Sequence, residues 1–307
     1  MGTPEPAIPV LEALCNSGDV EVVAAVTPPD RGRGRRLRFE PPPAKIAAIR
    51  LGVPTLQPES LRSQSVQAEL AALSPDVIVV AAYGKLLPRP VLELPSHGCL
   101  NLHPSLLPRH RGPSPVATAI LEGDERTGVT LMLLDEGMDT GPVVAQREYV
   151  LTGKETAGEL TCSLFSMGAD LLLESLDPWV KGRLPAQKQD DSQATVSRKL
   201  DRADGLADWT LPAETLSRQC RAYAPWPGLY TRWEGKTLKL LEVAPLPEGV
   251  RGREPGQVVS HSPAPVATVV TGDGLLGLLR VQLEGGRAVT AGEFLAGYPN
   301  FIGAILG

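Results

Sequence analysis

Apolar positions along this chain follow two rhythms. Residues 20–27 are mostly β-branched and apolar up to Pro28-Pro29, which predicts a buried strand. Residues 44–51 have helical composition and stop at Gly52. Residues 59–73 carry leucines and alanines at helical intervals, so two helices are expected. Residues 76–82 are apolar on both faces, as a central parallel strand should be. A short strand is predicted over 99–103, a helix around 116–121, and strands over 128–134 and 143–150 on either side of an acidic loop. A leucine-rich helix follows over 156–181, up to Gly182. Strands alternating with helices imply an α/β, Rossmann-like domain with a mostly parallel sheet covered on both faces. In such folds the ligand site lies at the carboxyl ends of the strands.

The rhythm then changes. Residues 184–197 are polar and rich in Gln, Asp and Ser, the composition of a linker. Beyond them, 233–243, 257–260, 266–271 and 275–282 read as short strands between Gly and Pro turns, as in a small β-barrel. The expected organisation is a domain over 1–182, a linker over 183–199 and a small OB-like barrel over 200–307.

The start of the chain is unusual. Met1-Gly-Thr-Pro-Glu5 looks like the turn after a first strand, and helical residues follow at once, with Val10, Leu11 and Leu14 on one face. The hypothesis is that about five or six apolar residues, one short strand, belong upstream. The codons before Met1 test it, and the absence of an in-frame apolar segment there would refute it.

Composition narrows the class. Apolar content of 42% and charged content of 21% suit a folded globular protein rather than a disordered one. The net charge of −5 restricts any nucleic-acid contact to a local basic patch. Such a patch exists: Arg31, Arg33, Arg35, Arg36 and Arg38 crowd a Gly-containing loop, where they can approach phosphates closely. Lys236 and Lys239 are further candidates, equally explained as an exposed strand face. Cys15, Cys99, Cys162 and Cys220 lie far apart, as reduced, buried thiols would, and the four histidines are scattered, so no metal set is expected. No apolar run spans a bilayer and no secretion signal is visible, so a cytoplasmic protein is expected.

The candidate chemistry lies in Asn101-Leu-His103-Pro-Ser-Leu-Leu-Pro108, followed by Asp135-Glu-Gly-Met-Asp139-Thr-Gly141. An amide, an imidazole and a carboxylate offer an oxyanion donor, a proton shuttle and an anion to orient the shuttle, as transfer of an acyl or formyl group to an amine requires. Asn101 and His103 alternate along the predicted strand, so both point to one side. Taken singly, the histidine fits a structural hydrogen bond and the acidic loop fits a solvated turn. The loop lacks the spaced ligands of a calcium site.

The two motifs, with His110-Arg-Gly-Pro-Ser-Pro115 and Thr127-Gly-Val-Thr130 between them, resemble the signature of the folate-dependent formyltransferases. The resemblance implies that Asn101, His103 and Asp139 are catalytic. It also implies that Ser105, Leu106, Leu107 and Pro108, with the loop approaching Asp139, bind the folate. The flanks, Gly2–Glu5, 27–36, 82–88 and Ala224-Pro-Trp-Pro-Gly228, resemble the branch of that family that formylates methionyl-tRNA, and the likeness extends over the C-terminal barrel. It implies 10-formyltetrahydrofolate as donor, initiator methionyl-tRNA as acceptor held by the arginine loop and the barrel, no metal, and a monomer. Pro6 departs from the pattern, which usually has an aromatic there. Alternatives are formyl transfer to a small amine, hydrolysis of formyltetrahydrofolate, or a non-catalytic RNA-binding protein on a truncated scaffold. None of the enzymatic alternatives uses the arginine loop.

Overall fold

The computed structural model describes residues 1–307 apart from 34–37, 247–252 and 262–265. The chain divides into two compact units. The first comprises Met1–Pro115, Arg126–Val150 and Leu160–Arg198; the second comprises Val116–Glu125, Leu151–Glu159 and Lys199–Gly307.

In the first unit the elements run α1 (Ala7–Asn16), β1 (Ala25–Val26), β2 (Arg31–Arg33), β3 (Arg38–Glu40), α2 (Pro43–Arg50), β4 (Thr55–Leu56), α3 (Gln64–Ala72), β5 (Ile78–Ala81), α4 (Arg89–Leu92) and β6 (Cys99–His103). After α5 (Pro115–Glu122), which from Val116 on belongs to the second unit, come β7 (Arg126–Leu133), β8 (Val143–Val150) and α6 (Ala157–Val180), which belongs to the first unit from Leu160 on. The sheet order is β5-β6-β7-β8, parallel between β5 and β6 and antiparallel beyond, while β1 pairs with β4 in parallel. The apolar faces of β6 and β7 explain the packing. Leu100, Leu102, Val129 and Leu131 are buried against Phe165, Ala169 and Leu172 of α6. Gly168 lets that helix approach, since a Cβ there would lie 3.0 Å from Val129 and 3.3 Å from Leu102. Each of these leucines contributes about 2 kcal/mol by burial.

Of the strand expected over 20–27, only Ala25–Val26 pairs. The two sheet pieces are joined through Met1 and Gly2. The amide of Gly2 donates to the Val26 carbonyl at 3.1 Å, the amide of Ala81 donates to the Met1 carbonyl at 2.9 Å, and the Met1 amine donates to the Val79 carbonyl. Gly2 forms a parallel bridge with Ala81. Beside it a cavity of about 610 Å³ is lined by Val20–Val26 and Val77–Val79. Pro6, at the departure from the family pattern, sits at the N-cap of α1 with helical φ and ψ.

The expected linker is not a free tether. Residues 183–198 belong to the first unit: Gln187 pairs with Val143, Thr195 accepts from the Arg111 amide at 2.9 Å, and the Ser197 amide donates to the Arg111 carbonyl at 2.7 Å. Three of its polar side chains, Gln189, Thr195 and Ser197, bond to backbone groups of the first unit, which composition alone does not reveal.

The second unit contains α7 (Ala213–Ala222), β9 (Tyr230–Trp233), β10 (Lys236–Leu246), β11 (Val258–His261), β12 (Val266–Val270), β13 (Leu275–Leu283), β14 (Ala288–Thr290) and α8 (Ala291–Gly297). The strand expected over 233–243 is two strands, because Glu234 and Gly235 take positive φ and form the turn of the β9–β10 hairpin. The strands make one antiparallel sheet, β11-β12-β13-β10-β9, with β14 on β13. The C-terminal tail bonds to both edges: Ala304 accepts from Val258, and the Gly307 amide donates to Arg232 at 3.2 Å. Trp233 packs edge-on against Phe294, Tyr298 and Phe301 at centroid distances of 5.6, 5.3 and 5.1 Å, which anchors α8 to the sheet.

All four cysteines are free. Cys99 and Cys220 are buried, as expected, and burial pushes both thiols up to about 12. Cys162 is exposed and Cys15 partly so, contrary to the expectation of burial for all four.

Candidate active site

Strand β6 ends on the site. Leu100 and Leu102 enter the core under α6, so the alternate residues Asn101 and His103 face the opposite side. The register places Val80 and Met132 beside Asn101, and Thr130 beside His103. Asn101 is half-buried, and among the described residues its amide makes no hydrogen bond, which leaves a donor uncommitted.

His103 is 5% exposed, and its ring lies between two acceptors. Nε2 is 3.0 Å from the His110 carbonyl, and Nδ1 is 3.6 Å from Oδ1 of Asp139. A carbonyl only accepts, so the proton of the neutral ring sits on Nε2. Nδ1 then presents its lone pair toward the carboxylate, beyond direct bonding distance. Burial pushes the His103 pKa below its ordinary value; the Asp139 charge and the His110 carbonyl oppose this, and the nearby His110 side chain adds to it. The ring is therefore neutral near pH 7, and the Asp139 charge beside Nδ1 partly offsets the cost of a proton arriving there.

Asp139 is held at its carboxylate and at its carbonyl. Its Oδ2 accepts from the Gly112 amide at 2.8 Å, and its backbone takes a left-handed φ of 55°. Its carbonyl accepts from Nε2 of Gln189 at 2.9 Å, and the same Nε2 donates to the Gly141 carbonyl at 2.7 Å. Oε1 of Gln189 accepts from Arg111 Nε at 3.1 Å and Nη2 at 2.9 Å, and Arg111 Nη2 reaches Asp191 at 2.7 Å. Gln189 and Arg111 are both buried. Leaving one such buried group unpaired costs about 1–3 kcal/mol. The loop before Asp139 closes on itself, with Oδ1 of Asp135 accepting from the Gly137 amide and from the Thr140 hydroxyl.

The stretch 105–108 divides by burial. Ser105 is fully buried, with Oγ donating to the Arg109 carbonyl at 2.6 Å, and Leu107 is 4% exposed in the core. Leu106 and Pro108 remain partly exposed. Thr130 ties the loop to the sheet: its hydroxyl donates to the Ser105 carbonyl at 2.6 Å and accepts from the Leu107 amide at 3.1 Å. Gln146 adds a bond to the Leu107 carbonyl at 2.8 Å. Sequence reading missed Thr130, Gln146, Arg111 and Gln189. The first two sit in strands, where alternation marks them as facing the His103 side; Gln189 lies in a polar stretch that gives no such signal.

Of the arginine loop, Arg31 and Arg33 lie in β2 and Arg38 in β3, which pair as an antiparallel hairpin; Arg35 and Arg36 lie outside the described residues. Gly32 stands opposite Phe39, which is 78% exposed. The hairpin base is held by Asp30, which accepts from Lys45 at 2.9 Å and from Gln57 at 2.7 Å; these bonds, Gln57 first, hold its carboxyl below the usual range. In the second unit Lys236 and Lys239 are exposed. No helix among the described residues is long and apolar enough to cross a membrane.

Residues 2–176 match the formyl transferase family, and residues 199–299 match its C-terminal domain. The methionyl-tRNA formyltransferase of Roseiflexus sp. (strain RS-1) is 47% identical over 297 residues, covering 97% of this chain and 91% of the relative. Among solved structures, WlaRD, a sugar 3N-formyl transferase, superposes with a TM-score of 0.64 at 15% identity, covering 90% of this chain and 95% of that one. HypX from Aquifex aeolicus, in complex with tetrahydrofolic acid, gives 0.59 at 21% identity, covering 78% of this chain and 42% of that one. The two structures share the fold. The two matched domains and the near-complete alignment together make the chain a member of the formyl transferase family, in its methionyl-tRNA formyltransferase branch.

Proposed function

We propose that this chain transfers the formyl group of 10-formyltetrahydrofolate to the α-amino group of initiator methionyl-tRNA, with Asn101, His103 and Asp139 as its catalytic residues. The observation that carries the assignment of roles is the placing of the His103 ring between the His110 carbonyl and Asp139, on the same strand face as the uncommitted amide of Asn101.

The chemistry follows from charge. When the amine attacks the formyl carbon, its π electrons move onto the formyl oxygen, and the nitrogen gains positive charge. Asn101 donates its N–H to that oxygen. The proton lost by the nitrogen goes to Nδ1 of His103, and Asp139 stabilises the resulting imidazolium, whose other N–H stays on the His110 carbonyl. When the formyl C–N bond to the folate breaks, the proton passes from Nδ1 to the departing folate nitrogen, and the ring is neutral again. This cycle uses no metal.

The exposed parts of Leu106 and Pro108 offer apolar surface to the folate, while Ser105 and Leu107 act by fixing the loop's shape. Arg31, Arg33, Arg35, Arg36 and Arg38 bind tRNA phosphates, with Lys236 and Lys239 of the C-terminal antiparallel sheet as secondary contacts. The enzyme works as a monomer in the cytoplasm. The test is formylation of charged initiator tRNA with 10-formyltetrahydrofolate by the wild type, Asn101→Ala and His103→Ala. Near-normal turnover by either variant would remove that residue from the mechanism; tRNA binding without turnover by the wild type would favour the RNA-binding alternative.

A further inference from the structure

The polar stretch after α6, expected as a linker, runs through the site instead. Gln189 is 7% exposed and uses both ends of its amide. Its Nε2 bonds to the carbonyls of Asp139 and Gly141, and its Oε1 takes two bonds from Arg111. Arg111 precedes Gly112, whose amide holds Oδ2 of Asp139. On its other side Arg111 is paired through its backbone with Thr195 and Ser197. Gln189 therefore joins the two backbone segments that set Asp139: the loop that carries it and the turn that grips its carboxylate. A left-handed aspartate is a conformation that its surroundings must impose.

We propose that Gln189 is a positioning residue for catalysis: it locks the Asp139 loop onto Arg111, so that Oδ1 of Asp139 faces Nδ1 of His103. The inference rests on the proposed roles of Asp139 and His103. The groups that face the His103 ring are Asp139 and the side chain and carbonyl of His110, and Gln189 touches none of their titratable atoms. Its influence on the ring is thus geometric, through where the carboxylate lies.

Two variants separate positioning from simple packing. Gln189→Glu keeps an acceptor for Arg111 but loses the N–H groups that hold Asp139 and Gly141. Gln189→Leu loses both and introduces no charge. Positioning predicts that both variants lower kcat about 10- to 100-fold, as for an active-site group misplaced by about 1 Å. The KM values for methionyl-tRNA and 10-formyltetrahydrofolate should stay within about threefold. In Gln189→Leu the acidic limb of the pH–kcat profile should move to lower pH, because a displaced Asp139 no longer opposes the lowering of the His103 pKa. Normal kcat in Gln189→Glu, a loss confined to KM, or an unshifted acidic limb would overturn the proposal. Asp139→Asn is measured alongside. If it is inactive while the Gln189 variants are normal, only the positioning role fails. If Asp139→Asn itself turns over normally, the catalytic reading fails and takes this inference with it.

Discussion

The amide of Gly112 donates to one carboxylate oxygen of Asp139 at 2.8 Å, leaving the other oxygen to face the His103 ring at 3.6 Å. One oxygen is spent on holding the residue and the other is kept for chemistry. Asp139→Asn keeps the shape and an acceptor but removes the charge. It should lower kcat by about 10²-fold or more, within the range for loss of acid–base assistance. Steady-state formylation with saturating substrates checks this, and a fall of less than threefold would contradict the role.

Asn101 is half-buried, and among the described residues its side-chain amide has no hydrogen-bond partner. Asn101→Ala should therefore separate activity from stability. Turnover should drop about 10²- to 10³-fold, as when an oxyanion donor is removed. The urea midpoint should barely move. A large loss of stability would show instead that the amide has a structural partner.

Gly112 has a φ of +101°, and a Cβ there would stand 2.8 Å from the Ser197 carbonyl. Gly112→Ala should destabilise the protein by roughly 1–3 kcal/mol. It should also lower kcat, because the turn that grips Asp139 must shift. Urea unfolding and kinetics on the same preparation test the link; unchanged activity in a destabilised variant would break it.

His103 supplies a pH dependence of stability. Its folded pKa lies below the unfolded value of 6.5, so the unfolded chain binds the proton more tightly. The contribution of this group is fully present above about pH 6.5 and is lost as the pH falls from there through the folded pKa. Unfolding free energies of the wild type and His103→Gln, measured at pH 8 and pH 5.5, should show a smaller acid loss in the variant. Equal losses would mean that His103 titrates as it does in the unfolded chain.

The arginine hairpin makes a separate prediction. Replacing Arg33, Arg35 and Arg36 by alanine should raise KM for methionyl-tRNA and flatten its dependence on salt, since fewer counterions are released on binding. KM for the folate should be unchanged. A salt slope equal to that of the wild type would exclude these side chains from phosphate contact.

Much of this architecture was legible in the order of residues, for reasons that differ between elements. The strands Cys99–His103 and Val143–Val150 appear where the pattern puts them, because each has neighbours on both sides or a clear alternation. The run 20–27 has the composition of a strand yet pairs only at Ala25–Val26, where Thr55–Leu56 is available. The hairpin at Glu234-Gly235 was hidden because its turn is only two residues long and strand-forming residues resume at Thr237-Leu238, although two consecutive positive φ values mark it in three dimensions. The trio proposed as catalytic, Asn101, His103 and Asp139, was visible as chemistry. Its support was not, because a glutamine bonded to backbone carbonyls and a glutamine in water are the same letter.

The pairing of Arg111 with residues 195–197 also sets where the first unit can be cut. A fragment ending at residue 182, the boundary that composition suggests, would keep Asn101, His103 and Asp139 but discard Gln187, Gln189, Thr195 and Ser197. It would expose the edge of β8 at Val143 and both backbone faces of Arg111. The first unit therefore runs to Arg198, and the stretch whose composition suggests a linker is its last segment rather than a tether leaving it.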